Sequence, residues 1–119
     1  MYIFWGKVRE GKKRGKKLGY PTLNVDLSKK IPEGIYASLT KINNRTFKSA
    51  TFIGNVKTFN EKKYLSETYI IDFDEKIYNE WASIKLLKKI RNNQKFENIN
   101  DLVDQIGKDI RKVREHFNM

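Results

Sequence analysis

Apolar and polar residues alternate along most of the first ninety positions, and a period of two marks extended chain. Tyr2 to Val8 (YIFWGKV) predicts a first strand, with Gly6 as a bulge or a point of close approach. Pro21 to Val25 predicts a short second strand, since the fixed φ and missing N–H of proline suit a strand's first residue. Gly34 to Ile42 and Arg45 to Phe52 predict a third and a fourth. They join at Asn43-Asn44, where asparagine tolerates the positive φ of a two-residue hairpin. Ile53 to Lys63 reads as loop around Gly54. Tyr64 to Phe73 (YLSETYIIDF) has the strongest strand pattern, and after a turn at Asp74-Glu75, Ala82 to Ile90 predicts a sixth strand whose Leu and Lys content also allows a helix.

The period then changes. Leu102, Val103, Ile106, Ile110, Val113 and Phe117 recur at steps of three and four, an apolar stripe along one helix. Asn98 or Asn100 can cap its first turn, and Asp101 lies near the positive end of its dipole. Five or six strands followed by one amphipathic helix predict a mainly β fold, a small antiparallel barrel closed or flanked by that helix. No repeat, low-complexity tract or linker divides residues 1–119, so one domain is expected.

Composition narrows the chemistry. With no cysteine and a single histidine, His116, a zinc site or a Cys/His nucleophilic pair is close to excluded. His116, at the helix end, receives no catalytic role. No apolar run reaches the length of a membrane span, and MYIFWGK is too short and too aromatic for a signal sequence; a soluble, cytoplasmic protein is expected. Twenty-five Lys and Arg against fourteen Asp and Glu give a net charge of +11, which favours anionic partners: nucleic acid, nucleotide or anionic lipid. Much of that excess is dispersed, as in Lys29, Lys41, Lys62 and Lys88, and a dispersed excess is usually solvated surface.

Candidate chemistry concentrates in Gly11 to Asn24 (GKKRGKKLGYPTLN). Gly11, Gly15 and Gly19 allow backbone amides to turn toward an anion, and Lys12, Lys13, Arg14, Lys16 and Lys17 surround them with positive charge. Thr22 and Asn24, two apart on a strand, share a face opposite Leu23 and Val25. Two neutral oxygens suffice for a magnesium ion that already carries waters and phosphate oxygens. The competing reading is a solvated hairpin with ordinary turn residues. Further on, Glu67 would share the more apolar face of its strand with Tyr69, Ile71 and Phe73, where burial favours the protonated form and makes a general base. If the strand ends near Glu67, its carboxylate reaches solvent instead. Gly6 to Lys13 has the glycine and lysine spacing of a P-loop, but Lys13 stands where a Ser or Thr is required, and the stretch opens no helix.

Taken together, Gly11, Gly15-Lys16-Lys17-Leu18-Gly19-Tyr20-Pro21-Thr22-Leu23-Asn24, Pro32-Glu33-Gly34-Ile35-Tyr36-Ala37, Gly54 with Thr58-Phe59, Glu67 to Phe73, Ile90-Arg91 with Lys95-Phe96, and Leu102 to Asp109 resemble the bacterial and eukaryotic type of riboflavin kinase over residues 2 to 117. The resemblance implies a six-stranded antiparallel Greek-key-like barrel with a C-terminal helix, ATP-dependent phosphorylation of the riboflavin ribityl 5′-hydroxyl to FMN and ADP, and magnesium. It implies metal and phosphate contacts at Thr22 and Asn24, a flap over ATP from Gly11 to Gly19 that includes Gly15 and Lys16, and Pro21 among the cofactor-binding residues. Glu67 is then the base, and Arg91 and Phe96 shape the flavin side. Val56-Lys57 stands where the family usually has Arg-Pro, and Asn93 where it usually has glutamate. The expected partners are riboflavin or FMN and ATP or ADP, in a monomer that binds neither membrane nor nucleic acid. Two other readings are a small basic barrel for single-stranded nucleic acid and a flavin-binding module without catalysis.

Overall fold

The computed structural model describes residues 2–9, 22–27, 29–58, 61–73, 75, 77 and 79–119. Six strands, β1 (Tyr2–Arg9), β2 (Leu23–Asp26), β3 (Gly34–Ile42), β4 (Arg45–Thr58), β5 (Glu61–Ile70) and β6 (Trp81–Arg91), precede one helix, α1 (Ile99–His116). The strands close into an antiparallel barrel in the order β1-β2-β5-β4-β3-β6. Consecutive hairpins join β3, β4 and β5, and β6 returns beside β3 by a longer connection, which is Greek-key topology.

The β3–β4 turn falls at Asn43-Asn44, both at positive φ, so strand pairing runs without a break from Ile42↔Arg45 to Gly34↔Ile53. Other expected boundaries move. The segment 53–63, expected as loop, is mostly strand: β4 runs to Thr58 and β5 starts at Glu61. Gly54 is a packing position here, not a breaker; a Cβ on it would lie 2.7 Å from both Asn93 Nδ2 and Phe52 Cζ. At its far end β5 stops at Ile70 instead of Phe73, because Ile71 and Asp72 form a turn with Asp72 at φ 56°. β2 begins at Leu23, after Thr22, and Pro21 lies outside the described residues. Gly6 pairs with Ala82 in an unbroken register, so it is no bulge; it is a close approach, its absent Cβ falling 2.9 Å from Val25 Cγ1.

Inward side chains form the main core: Phe4, Val8, Val25, Ile31, Ile42, Ile53, Ile84 and Leu86 are almost fully buried, each worth roughly 1.5–3 kcal/mol if large and aliphatic or aromatic. Across the middle of the barrel the lining turns polar. Ser38 bonds Ser49 at 2.7 Å and Thr51 at 2.8 Å, Thr40 bonds Ser49 at 2.8 Å, and Thr51 bonds Thr68 at 2.9 Å. Five hydroxyls with no access to water thus satisfy one another. One mouth of the barrel is tied by Tyr36, whose hydroxyl donates to Pro32 O at 2.7 Å, and by Tyr64, which donates to Ile31 O. Burial pushes both phenols above their ordinary pKa, with smaller contributions from neighbouring Tyr2 on Tyr36 and from Glu33 and Tyr36 on Tyr64.

A second, smaller core lies outside the barrel, where Val113 of α1 and its C-cap Phe117 pack on Ala37, Ala50, Tyr69, Ile71 and Ile90. Asn98 caps the helix by accepting from Asp101 N at 2.9 Å. Two ion pairs hold it. Arg91 grips the buried carboxylate of Asp109 through two bonds of 2.7 and 2.8 Å, and Arg114 bonds Asp72 at 2.6 Å.

Candidate active site on the outer barrel wall

Strand alternation decides which side chains look outward. Leu23 and Val25 are buried in the barrel, so Asn24 between them faces out; Ser66 and Thr68 are buried, so Glu67 faces out. β2 and β5 pair with Asn24 opposite Glu67, and directly opposed residues have Cβ atoms about 4.5–5.5 Å apart. Glu67 in turn opposes Phe52 on β4, Phe52 opposes Ile35 on β3, and Ile35 opposes Arg91 on β6. One row of outward positions therefore runs from Asn24 to Arg91 across five strands. At about 4.8 Å per strand it spans some 19 Å of curved wall.

The sequence reading had Glu67 on the more apolar face. The structure corrects this: the more buried face of β5 is the hydroxyl-bearing one, and Glu67 and Tyr69 are half-buried on the outer wall. Ile71 and Phe73 lie past the strand end and lend that face no strand register.

At the other end of the pair, Asn24 Oδ1 is buried with no hydrogen-bond partner among the described residues. A native protein seldom leaves such an oxygen unmatched, and a neutral carboxamide oxygen is a ligand suited to a hard divalent cation. No group of three or more His, Cys, Asp or Glu able to hold a metal occurs among the described residues. An ion here would draw most of its ligands from water and from its substrate, as magnesium with nucleotides does. Thr22, half-buried, immediately precedes β2. Arg9, opposite Asn24 on β1, makes a 3.2 Å ion pair with Asp26.

Arg91 holds its place in the row through Asp109, whose Oδ1 also accepts from Gln105 Nε2 at 2.9 Å. Phe96 is half-buried in the segment between β6 and α1. Gly11, Gly15, Lys16, Gly19 and Pro21 lie outside the described residues.

Two neighbours of the row receive no site role from the sequence. Phe52 adjoins Glu67 only through register, which no local pattern encodes. Asn93 donates from Nδ2 to Ile53 O at 3.0 Å and packs over Gly54, while its Oδ1 is buried without a partner among the described residues. Its only sequence signal is the exchange of the family's usual glutamate for asparagine. A separate open cavity of about 1120 Å³ at the barrel mouth, lined by Tyr2, Ile31, Glu33, Asn55 and Tyr64 among others, includes neither Asn24 nor Glu67.

A family model described as flavokinase, riboflavin kinase, matches residues 1–117. The bifunctional riboflavin kinase/FMN adenylyltransferase of Buchnera aphidicola (subsp. Schizaphis graminum) is 40% identical over 119 residues, covering 96% of this chain and 38% of the relative. The chain thus spans about two fifths of that relative's length. Among solved structures, one from Streptococcus pneumoniae described as a macrolide-efflux protein superposes with a TM-score of 0.84 at 31% identity, over 94% of this chain and 38% of the other. The riboflavin kinase of Trypanosoma brucei shares the fold, with a TM-score of 0.66 at 22% identity over 98% of this chain and 76% of the other. The barrel order and a family match over nearly the whole sequence agree, and the chain belongs to the riboflavin kinase family.

Proposed function

We propose that this chain transfers the γ-phosphate of ATP to the 5′-hydroxyl of the riboflavin ribityl chain, releasing FMN and ADP. The observation that carries the reading is the outward row from Asn24 through Glu67 and Phe52 to Arg91. It offers a metal and phosphate end, a carboxylate one strand away, and beyond it an aromatic and apolar stretch long enough for an extended substrate with a flat ring. The ribityl oxygen attacks the γ-phosphorus, the bond to the ADP oxygen breaks, and the hydroxyl proton passes to Glu67. Such transfers depend chiefly on alignment and charge neutralisation, so few protein groups are needed.

Asn24 Oδ1 and the Thr22 hydroxyl are the residues that would hold magnesium, which when bound neutralises phosphate charge. Gly11, Gly15, Lys16, Gly19 and Pro21 belong to the segment assigned to cover ATP. Phe52 and Ile35 give the ring an apolar floor, and Arg91 with Phe96 closes its far side. The same reading takes residues 1–119 as one kinase domain, acting as a cytoplasmic monomer.

Incubation with riboflavin, ATP and magnesium, followed by chromatography, is expected to yield FMN and ADP in equal amounts. Riboflavin binding without ADP would replace the kinase by a flavin-binding module.

A further inference from the structure

The charges on this barrel are segregated by strand. β4, β3, β6 and β1 are contiguous in the closed order and contain no Asp or Glu at all, whereas Asp26, Glu61 and Glu67 are confined to β2 and β5. The carboxylate end of the candidate active-site row, Asn24 and Glu67, is thus on β2 and β5, while Phe52, Ile35 and Arg91 of the same row stand on the acid-free strands. Beyond that row the same four strands present a basic face, bordered by Glu80 next to Trp81 and by Glu75, which pairs with Arg45 at 2.9 Å. Helix α1 covers the part of it near Ala37, Ala50 and Ile90, and the Phe117 ring that caps the helix lies 5.7 Å from Lys48 Nζ.

On the uncovered part stand both tryptophans of the chain, Trp5 at 62% and Trp81 at 65% exposure. They are diagonal neighbours on adjacent strands, since Trp5 opposes Ser83 and Lys7 opposes Trp81. Lysines interleave with them at outward positions: Lys7 beside Trp81, Lys41 across Ser83 from Trp5, and Lys85 beside Leu39. A large aromatic left in water on a flat sheet face is unusual, and two together mark an interaction surface.

We infer that this face binds single-stranded nucleic acid, bases stacking on Trp5 and Trp81 and phosphates pairing with Lys7, Lys41 and Lys85. The charge and shape of the face select this occupant. An acidic protein surface would match the lysines and leave the rings unfilled. A lipid surface wants aromatics ahead of the cations at one margin, whereas here the two alternate residue by residue in one plane. Only a strand of nucleotides repeats a flat apolar ring and an anion at that spacing, and base stacking on aromatic side chains is tolerant of sequence.

Because Trp5 and Trp81 are the only tryptophans, intrinsic fluorescence of the intact chain reports on this wall alone. Titration with short oligo-uridylate at low salt is expected to quench it, with Kd roughly 1–100 μM and a slope of log affinity against log salt near about −2 for three neutralised phosphates. Lys41→Glu with Lys85→Glu should weaken binding by about tenfold or more. Trp5→Ala and Trp81→Ala, followed by fluorescence anisotropy of a labelled oligonucleotide, should each weaken it by about tenfold. None of these variants should alter FMN formation, so failure of the kinase reading and failure of this one are separately visible. The inference is overturned if oligo-uridylate leaves the fluorescence unchanged, if binding survives the lysine pair intact, or if only phosphatidylglycerol vesicles or an acidic polypeptide move the signal.

Discussion

Glu67→Gln keeps the shape of the side chain and removes its ability to accept a proton. Under the proposed mechanism kcat should fall by about 10²–10⁴ while riboflavin KM and thermal stability hold; steady-state kinetics with a parallel melting curve tests this, and an unimpaired kcat would take Glu67 out of the reaction. Glu67 and Asn24 were both legible as candidates, because short motifs single out residue types. Their juxtaposition was not, since it depends on a pairing between strands some forty residues apart in the chain. The face of Glu67 was misjudged for a related reason. Hydropathy alone made Tyr69, Ile71 and Phe73 look interior, but the interior of this barrel is lined at that level by Ser66 and Thr68.

Among the elements, α1 depends on two ion pairs of different kinds. Asp109 is buried, its side chain 7% exposed against 18% for Arg91, and removing one member of such a pair strands the other. Asp109→Ala should therefore cost about 3 kcal/mol in urea unfolding, and should loosen Arg91 at the end of the substrate row. The Asp72–Arg114 pair is exposed and answers to pH instead. The hydrogen bond from Arg114 holds the Asp72 carboxyl below its ordinary value. The unfolded chain consequently takes up this proton first on acidification; the stabilisation is whole above about pH 4–5 and disappears as pH falls through the lower, folded value. Circular dichroism across the acid range should show helix loss that Asp72→Asn shifts to higher pH, and an identical acid limb would deny the pair this role. The β3–β4 hairpin and α1 were legible because both rest on local rules, asparagine at positive φ and a stripe at helical spacing. The length of β4 was hidden by Gly54, whose place in the strand makes sense only once Asn93 and Phe52 are seen packed upon it.

For the molecule as a whole, the hydroxyl lattice links β3, β4 and β5 from within. Thr51 is its centre, bonded to both Ser38 and Thr68. Thr51→Val preserves volume and removes the Thr51 bond of the Thr68 hydroxyl, while Ser38 keeps Ser49, a change expected to cost about 1–3 kcal/mol by denaturant unfolding. A loss within a few tenths would mean that the remaining hydroxyls re-pair freely.

That lattice also guards against misalignment. Sliding β5 by a single residue against β4 would swing Ser66 and Thr68 out to the solvent side and drive the Glu67 carboxylate into a dry interior with no cation to meet it. The outward placement of Glu67 is thereby held in step by groups that no substrate touches, and a chain folded one notch out of step would announce itself as unstable before it could persist as merely inactive.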